Sequence, residues 1–422
     1  TADNILEFDP KGQAAAVTGG NITPGARAWR RRLGKVIVIN PFNLLPGKLL
    51  PTTPVNPLAD IDPDHPEAEA EFKSLAVISC PVKSGDNQPF FAESAQDIIK
   101  AAMHHLRITE GTAATLPMVN DMLQQPEIEL NGFFRELSES RIVSIRHIGN
   151  RYYLKPYQRT KPDGTTELAR PTRGKEDNSV IRTVQNALAF LADAPMVTLF
   201  SGPQPFSFKE LKRPGQRVTG YIVWPASKTD YAKASELLLT SAMNAVLTSS
   251  NKQPGVLFIV DEFANALQPK GGGVDTIRKA FSFGRDAGLR VLVVLQTMGQ
   301  LLTMLKEEKH AGEMIGAAGA RIFYGSEDAT TDDVIIKMAA NETVWGVSRA
   351  PETGSPDWQP SSQTAQAKPL IDLHDLREMK RDGGQVMFLS DLPFPLGCIP
   401  RFPHYFQIAE LAKRADPDPY HE

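Results

Sequence analysis

The chain has 422 residues, of which 41% are hydrophobic and 23% charged, and its formal net charge at pH 7 is −3. This length allows two or three domains with a sizeable core, and the balanced charge excludes a protein coated with cations for wholesale nucleic-acid binding. The cysteines, Cys80 and Cys398, lie far apart in the sequence, which disfavours structural zinc and a disulfide framework and suits a reducing cytoplasm. The apolar runs are shorter than the roughly 18 residues that a membrane helix needs, so we expect the chain as given to be soluble.

Short apolar runs that end in a polar or acidic residue predict the strands of a parallel sheet. In chain order they are ILEF ending at Asp9, KVIVIN ending at Asn40, TGYIVWPA (219–226), VLFIV ending at Asp261, RVLVVL ending at Gln296, and GQVMFLSD (384–391). Helical patterns lie between them, for example at 231–249 and 274–288. Strands that alternate with helices at this rhythm predict an α/β fold, with a parallel sheet wrapped by helices.

The rhythm changes between about residues 90 and 195, where segments with the 3.6-residue period of helices follow one another without a convincing strand. We therefore expect an all-α insertion at 90–195, between a first part of the α/β domain (1–89) and a second part (196–422). Two other stretches have the composition of loops. Residues 43–67 are rich in proline and predict an extended loop after the second strand, and residues 348–368 predict a surface loop.

Polar side chains follow the predicted strands at the edge where ligands bind in open α/β sheets. Asp261 and Glu262 come directly after VLFIV, which is the Walker B arrangement of nucleotide hydrolases. In that arrangement Asp261 holds Mg²⁺ and Glu262 orients and polarises the attacking water. Gln296 has the polarity to sense a γ-phosphate, and Arg285, at a helix end, is placed to present a cation to the phosphate of a neighbouring subunit.

Each of these features alone also has an ordinary structural explanation. An apolar strand followed by two acids occurs by chance, a terminal glutamine is often only a polar strand end, and Arg285 could be a solvated charge at a helix end. The order and spacing of all of them together favour the functional interpretation.

The sequence resembles the soluble part of the type IV secretion coupling proteins, the TraG/TraD family of conjugative ATPases. The resemblance runs over almost the whole length, with the helical insertion where this family has its all-α domain. The matching stretches are ILEFDPKGQAAAVT, RRRLGKVIVINPFN, VLFIVDEFANAL, FSFGRDAGLRVLVVLQTMGQL, GAAGARIFYGSEDATTDDVIIKMAANETV and PLGCIPRFPHYF.

The resemblance implies a RecA-like nucleotide-binding domain that uses ATP and Mg²⁺ and assembles as a homo-hexamer on the cytoplasmic face of the bacterial inner membrane. It also implies delivery of DNA, with its relaxosome, or of secreted effector proteins to the type IV secretion channel. By motif position, Asp261 and Glu262 have the Walker B roles, Gln296 senses the γ-phosphate, and Arg285 is the arginine finger acting in trans.

The sequence departs from the family in one respect, because it contains no GxxxxGK[ST] loop. The nearest imitation, ARPTRGKEDN (169–178), lacks the first glycine and has no Ser or Thr after the lysine. The amides and lysine that cradle the phosphates are therefore absent, and we expect this chain alone neither to bind ATP tightly nor to hydrolyse it. The chain opens on what looks like the end of a strand, so we expect the loop and the family's membrane helices to lie upstream; a degenerate ATPase is the alternative.

Two stretches combine basic and aromatic residues in the manner of a nucleic-acid surface. ARAWRRRLGK (26–35) is, by the family resemblance, a helix that runs into the second strand, and a solvated helix face is its ordinary interpretation. Residues 141–161 could contact DNA, bind an acidic adaptor protein, or form a charged loop. The candidate contacts in this second stretch are Arg146, Arg151, Tyr152, Tyr153 and Lys155.

Two other functions compete with the coupling-protein motor. An FtsK/HerA-type DNA translocase belongs to the same broad class, but the helical insertion and the GARIFYG…ETV segment argue against it. A non-catalytic platform that only recruits substrates is favoured by the missing loop and disfavoured by the intact Asp261, Glu262, Arg285 and Gln296.

Overall fold

The computed structural model describes residues 4–23, 29–82, 89–162, 165–169, 171–267, 272–305, 307–348, 362–392, 395–400 and 407–420. The chain divides into two compact units. The first unit comprises Thr1–Val294 and Ala409–Glu422, and the second comprises Leu295–Ile408.

The strands occur in both units. In chain order they are β1 Asn4–Asp9, β2 Lys35–Ile39, β3 Tyr157–Thr160, β4 Thr166–Ala169, β5 Val218–Val223, β6 Val256–Val260, β7 Leu289–Val293, β8 Ala320–Tyr324, β9 Asn341–Ser348, β10 Ser362–Pro369, β11 Gly384–Leu389 and β12 Leu396–Pro400.

The α-helices separate most of these strands. In chain order they are α1 Gln13–Thr18, α2 Arg30–Leu33, α3 Ala68–Ser79, α4 Pro89–Thr109, α5 Leu116–Leu123, α6 Glu127–Ser138, α7 Val143–Tyr152, α8 Lys175–Leu188, α9 Ala194–Ser201, α10 Ala232–Leu247, α11 Phe263–Ala266, α12 Gly272–Phe283, α13 Met298–Met304, α14 Glu308–Ala317, α15 Ala329–Ala339, α16 Leu373–Asp382 and α17 Ala409–Ala412.

A parallel five-stranded sheet, in the order β2-β5-β1-β6-β7, forms the centre of the first unit. Strand β1 lies in the middle of the sheet, where Leu6 and Phe8 are fully buried, and Phe258 of the neighbouring β6 is buried equally. Apolar residues occupy both faces of these strands because helices cover both faces of a parallel sheet. The predicted α/β fold with a parallel central sheet is therefore confirmed, and VLFIV lies beside ILEF as an inner strand.

The prediction that GQVMFLSD belongs to the parallel sheet is wrong. This segment forms β11 of the second unit, which pairs antiparallel with β8 and with β12 in a separate three-stranded sheet. An apolar run that ends in an acid predicts a strand, but it contains no information about the direction of its neighbour. The neighbour β8, ARIFY, alternates between exposed and partly buried residues, and its weak apolar signal did not single it out as a strand.

The helical part of the first unit extends from α3 to α9, beyond both ends of the predicted 90–195 segment. It also contains the antiparallel hairpin β3–β4, which the periodicity did not indicate because nearly all of its side chains are exposed. Helices α6 and α7 pack closely where Gly149 lies against the backbone of Ser138. All of these elements belong to the first unit, so the boundaries 1–89, 90–195 and 196–422 stay a prediction.

The two predicted loops have different outcomes. Within residues 43–67 the structure has turns and isolated bridges but neither a helix nor a strand, as predicted. Of residues 348–368, Ser362 onward forms β10, which pairs antiparallel with β9, and residues 349–361 lie outside the described residues. Residues 24–28 of the predicted helix at 26–35 also lie outside them, and the helix that is described, α2, is one turn long.

A buried lysine connects its own helical turn to two loops at the amino-terminal edge of the parallel sheet. The side chain of Lys212 is 4% exposed. Its ammonium group donates to the carbonyl oxygens of Lys252 (3.0 Å), Pro254 (2.9 Å) and Ala287 (2.8 Å). Burial lowers the pKa of Lys212, and the three acceptors offset the cost of burying its charge. This cation therefore connects the segments that lead into β6 and β7.

We predict that Lys212→Met destabilises the first unit. The change leaves three carbonyl oxygens without their donor, which should lower the free energy of unfolding by about 3 kcal/mol. Urea denaturation measures this loss. The exposed Lys209→Met is the matched control and should change the free energy of unfolding by less than about 0.5 kcal/mol. Equal stability of the two variants would show that the hydrogen bonds of Lys212 do not stabilise the first unit.

Candidate functional site

The two acids that follow β6 lie in a turn that is tied to both neighbouring strands. The N–H of Asp261 donates to the carbonyl of Phe8 on β1 (3.4 Å), and the N–H of Phe263 donates to the carbonyl of Val294, which follows β7 (3.1 Å). The N–H of Glu262 donates to Oδ1 of Asp261 (3.0 Å). Asp261 and Glu262 are both partly buried and lie at the carboxyl edge of the sheet, as the sequence predicts.

The backbone of Glu262 adopts a left-handed conformation, with φ 48° and ψ 56°. A residue with a Cβ atom pays roughly 1–2 kcal/mol for this conformation. The turn permits α11 to begin directly after the strand, with Glu262 as the residue that precedes the helix. Strain of this kind is concentrated at functional sites, so it supports a role for the Glu262 carboxylate beyond packing.

A lysine that the sequence analysis did not single out lies beside Glu262. The carboxylate of Asp9 accepts from the N–H of Ala15 (2.9 Å) and from the N–H of Lys11 (3.3 Å), which fixes the turn between β1 and α1. This turn places Nζ of Lys11 3.8 Å from Oε1 of Glu262, with the lysine side chain 64% exposed. The sequence signal for this contact was Lys11 in DPKG, a cation two residues after the acid that ends the first strand.

The C-terminal segment holds the same turn from outside. Tyr420 donates through its hydroxyl to the carbonyl of Lys11 (2.7 Å), and the side-chain amide of Gln13 donates to Asp418 (2.5 Å). Asp418 is 5% exposed. Residues more than 400 positions apart therefore meet beside the site, and no local sequence pattern predicts such a contact.

The carboxyl groups of Glu7, Asp9 and Asp261, on β1 and at the end of β6, all have raised pKa values. Burial, with the nearby charges of Asp9 and Asp261, raises the pKa of Glu7 to about 8. Burial also raises the pKa of Asp9, against the N–H donors of Ala15 and Lys11, and the pKa of Asp261. The site therefore disfavours further negative charge, and a bound cation would relieve this cost.

The arrangement is compatible with Mg²⁺ bound through few protein ligands. Among the described residues there is no group of three or more His, Cys, Asp and Glu side chains that could enclose a metal ion. Mg²⁺ commonly retains water and binds one or two carboxylates together with substrate phosphates. Asp261, partly buried and at the tip of an inner strand, is the residue that would hold it.

Arg285 lies at the other end of the strands from Asp261. It follows α12 in a turn that the N–H of Gly288 closes onto the Arg285 carbonyl (3.2 Å), immediately before β7 begins. Its side chain is exposed. A five-residue strand is about 16 Å long, so Arg285 and Asp261 of one chain do not face the same phosphate, and an arginine-finger role requires a second chain.

Gln296 follows β7 by three residues and belongs to the second unit. It is exposed, and its N–H donates to Oε1 of Gln300 (2.9 Å). Its role at a γ-phosphate stays a prediction.

The candidate substrate contacts of residues 141–161 have different environments. Arg151 and Lys155 are exposed, whereas Tyr153 is partly buried. Arg146 is partly buried and donates to the carbonyl of Ser140 (3.0 Å). Tyr152 is 1% exposed, and its ring packs against Phe134 with centroids 5.4 Å apart, so its ring belongs to the core and does not face solvent.

Comparison with known proteins identifies the family. Residues 1–413 match the family model described as "Type IV secretory system Conjugative DNA transfer". The chain belongs to this family. It is thus a conjugative DNA-transfer protein of type IV secretion, as the resemblance implied, and neither a docking platform nor an FtsK/HerA-type translocase is favoured.

Solved structures of similar fold include conjugative proteins. The bacterial conjugative coupling protein TrwB, without its first 70 residues, has a TM-score of 0.62 and 16% identity, over 95% of this chain and 79% of that chain. TrwB in complex with ADP and Mg²⁺ has a TM-score of 0.60 and 15% identity, over 95% and 79%. VirB4 of Thermoanaerobacter pseudethanolicus has a TM-score of 0.53 and 9% identity, over 96% and 83%. No curated protein matches the chain.

These likenesses confirm the RecA-like fold. Within the described residues, every helix is too short or too polar to traverse a lipid bilayer.

The raised pKa of Glu7 predicts that stability falls as the pH rises. Between pH 5 and pH 8 the folded chain retains the Glu7 proton, whereas unfolding releases it because the pKa of an exposed glutamate is about 4.3. The free energy of unfolding should therefore decrease by up to about 1.4 kcal/mol per pH unit over this range. Denaturation in urea at several pH values measures the slope.

Glu7→Gln should flatten this dependence and stabilise the chain at pH 8, where the native carboxyl group begins to ionise. The exposed Glu139→Gln is the matched control and should retain the slope of the unchanged protein. Parallel pH profiles for Glu7→Gln and the unchanged protein would contradict the pKa assignment.

Proposed function

We propose that the chain is the motor part of a coupling protein, which uses ATP hydrolysis to deliver DNA or protein substrates to a type IV secretion channel. The observation that supports this most is the Asp261–Glu262 turn, which lies at the carboxyl edge of an inner strand and is hydrogen-bonded to the strands on both sides. The strained backbone of Glu262 and the membership of the family support the same conclusion.

The site residues have separate tasks in this proposal. Bound Mg²⁺ supplies charge neutralisation at the phosphates of ATP. Asp261 holds the metal ion, and Glu262 orients a water molecule and accepts its proton. Nζ of Lys11, 3.8 Å from Oε1 of Glu262, is the neighbouring cation that holds this carboxylate in position.

We infer the nucleotide and metal ligands from those bound to a protein of similar structure. TrwB has been solved with ADP and Mg²⁺, with the non-hydrolysable GTP analogue GDPNP and with the ATP analogue ADPNP. We extend nucleotide and Mg²⁺ binding to the coupling protein of which this chain is the motor part, on the strength of the common fold and of the Asp261–Glu262 turn.

The position of Arg285 supports the assembly of several copies. Because Arg285 lies at the amino-terminal edge and Asp261 at the carboxyl edge, the arginine of one copy acts on the nucleotide held by the next. A closed ring supplies every site with such a neighbour, and we propose a homo-hexamer at the cytoplasmic face of the inner membrane. Gln296 is the γ-phosphate sensor of this motor.

We predict that alleles of the gene with Glu262→Gln or Asp261→Asn abolish conjugative transfer. Loss of the water-orienting base or of the metal ligand should reduce catalysis at least about 100-fold, and Arg285→Ala should have a comparable effect because an arginine finger contributes about 10³ or more. The measurement is transfer frequency from donor cells that carry each allele in place of the original gene.

The exposed Glu176→Gln allele is the matched control and should transfer normally. Immunoblots verify equal amounts of each protein. Transfer at the original frequency by the Glu262→Gln strain would refute the motor.

We predict that the 422 residues, purified alone, release phosphate from ATP at the background rate. Lys11 is the cation that the described residues bring to the acids, and the sequence has no GxxxxGK[ST] loop to cradle the β- and γ-phosphates. A phosphate-release assay with and without Mg²⁺ tests this. Turnover that needs Mg²⁺ and disappears in Glu262→Gln would overturn this prediction while leaving the assignment of the base intact.

A further inference from the structure

Basic residues accumulate where β2 and β5 begin, at the amino-terminal edge of the parallel sheet. Lys35 is the first residue of β2, and its N–H donates to the carbonyl of Arg217 (2.8 Å), the residue before β5. Both side chains are exposed. The backbones are so close here that a Cβ atom on Gly34 would lie 2.2 Å from the Arg217 carbonyl oxygen. The sheet itself therefore fixes these two cations side by side.

Two further arginines join this edge around an exposed indole. The guanidinium carbon of Arg414 lies 4.9 Å from the centroid of the Trp29 ring, and that of Arg32 lies 6.0 Å from it. The N–H of Trp29 donates to the carbonyl of Arg414 (3.1 Å), and the N–H of Arg32 donates to the carbonyl of Trp29 (3.0 Å). Trp29 is 39% exposed. The C-terminal segment thus brings Arg414 to α2, although the two are far apart in sequence.

We call the exposed cations of this edge the basic face; they are Arg31, Arg32, Lys35, Arg217 and Arg414. Lys35 forms an ion pair with Glu210 (3.0 Å), and Arg31 donates to the carbonyl of Asn21 (2.6 Å). Arg32, Arg217 and Arg414 have no ion pair with any described residue. The basic face therefore keeps a surplus of positive charge, although the chain as a whole has a formal net charge of −3.

We propose that the basic face binds the phosphate backbone of a nucleic acid. Planar guanidinium groups bind phosphate oxygens in pairs, and a rigid sheet edge holds them without the entropy cost of ordering a loop. An anionic membrane would be held by cations together with apolar side chains that enter the lipid. The large apolar side chain of this face is Trp29, and its ring already lies against two guanidinium groups.

The inference deepens the proposed function, on which it rests, because it gives the DNA cargo a contact surface. This surface is separate from the stretch 141–161, in which Tyr152 is buried in the core. It also lies at the edge opposite Asp261, so a bound strand and a bound nucleotide do not compete for the same residues.

The test is fluorescence anisotropy of the 422-residue protein with a labelled 30-nucleotide single strand and the corresponding duplex, over a range of NaCl concentrations. The triple variant Arg32→Glu, Arg217→Glu and Arg414→Glu should bind at least about tenfold more weakly near 0.1 M salt. Each lost phosphate contact lowers the slope of log affinity against log salt by about 0.7 to 0.9. We therefore expect the slope to fall by about 2 to 3 in the triple variant.

Two other sets of variants separate this surface from general charge. The control Lys175→Glu, Arg182→Glu and Lys337→Glu changes three exposed cations elsewhere by the same total charge and should leave the slope unchanged. The conservative set Arg32→Lys, Arg217→Lys and Arg414→Lys should retain most of the slope, and circular dichroism verifies the folding of each protein. Single Arg414→Gln, which alters no sheet residue, should lower the slope by about 1 and keeps the test valid if the triple variant does not fold.

Three results would overturn the inference. The first is an unchanged slope in the triple variant. The second is loss of binding from Arg151→Glu and Lys155→Glu instead, which would assign the contact to residues 141–161. The third is tighter capture by vesicles containing anionic lipid than by either DNA, lost in the triple variant, which would identify a membrane surface. Failure of the proposed motor is distinguished because it appears in the transfer and phosphate-release assays and not in this binding measurement.

Discussion

The parallel pairing of β6 between β1 and β7 is the constraint on which the rest of this chain depends. Parallel strands present their carboxyl ends at one edge, so the hydrogen bonds that join Phe8, Asp261, Phe263 and Val294 also determine where the acids lie. This pairing requires strands that are apolar on both faces, because helices cover both faces of the sheet. The sequence meets this requirement with VLFIV and ILEF, and the acids come immediately after.

This constraint also accounts for the electrostatics of the edge. Glu7 and Asp9 are two residues apart on one strand and therefore point to the same face, with Asp261 on the adjoining strand end. Burial raises the pKa of each of the three carboxyl groups. The charge of Asp261 adds to the shifts of Glu7 and Asp9, and the charge of Glu262 adds to that of Asp261. N–H donors and Lys11 compensate in part. The remaining excess of acidic groups is what a bound metal cation would relieve.

The sequence was sufficient for the central sheet because burial between two layers of helices produces an unmistakable apolar run. It was also sufficient for the positions of Asp261 and Glu262 at a strand end, since that follows from the run itself. It failed for GQVMFLSD because strand direction depends on the partner β8, and for the hairpin β3–β4 because exposed strands have no apolar signal.

At the candidate site, the residues that the sequence did not predict are those whose positions depend on tertiary contacts. The approach of Lys11 to Glu262 depends on the turn that Asp9 caps, and the hold of Tyr420 on that turn spans almost the whole chain. The burial of Tyr152 likewise depends on Phe134 from a different helix. The pattern of basic and aromatic residues at 141–161 therefore does not predict which rings belong to the core.

The two edges of the sheet have opposite charge, and this limits what one chain can do. Acids lie at the carboxyl edge, whereas Lys212, Arg285 and the basic face lie at the amino-terminal edge, about one strand length away. The proposed arginine-finger role of Arg285 therefore requires that a triphosphate at the acids of one copy meet the arginine of another copy. Within the sheet, the basic face lies on β2 and β5, on the other side of β1 from β7, which Arg285 precedes. The same sheet thus keeps the proposed nucleotide site apart from the proposed nucleic-acid surface.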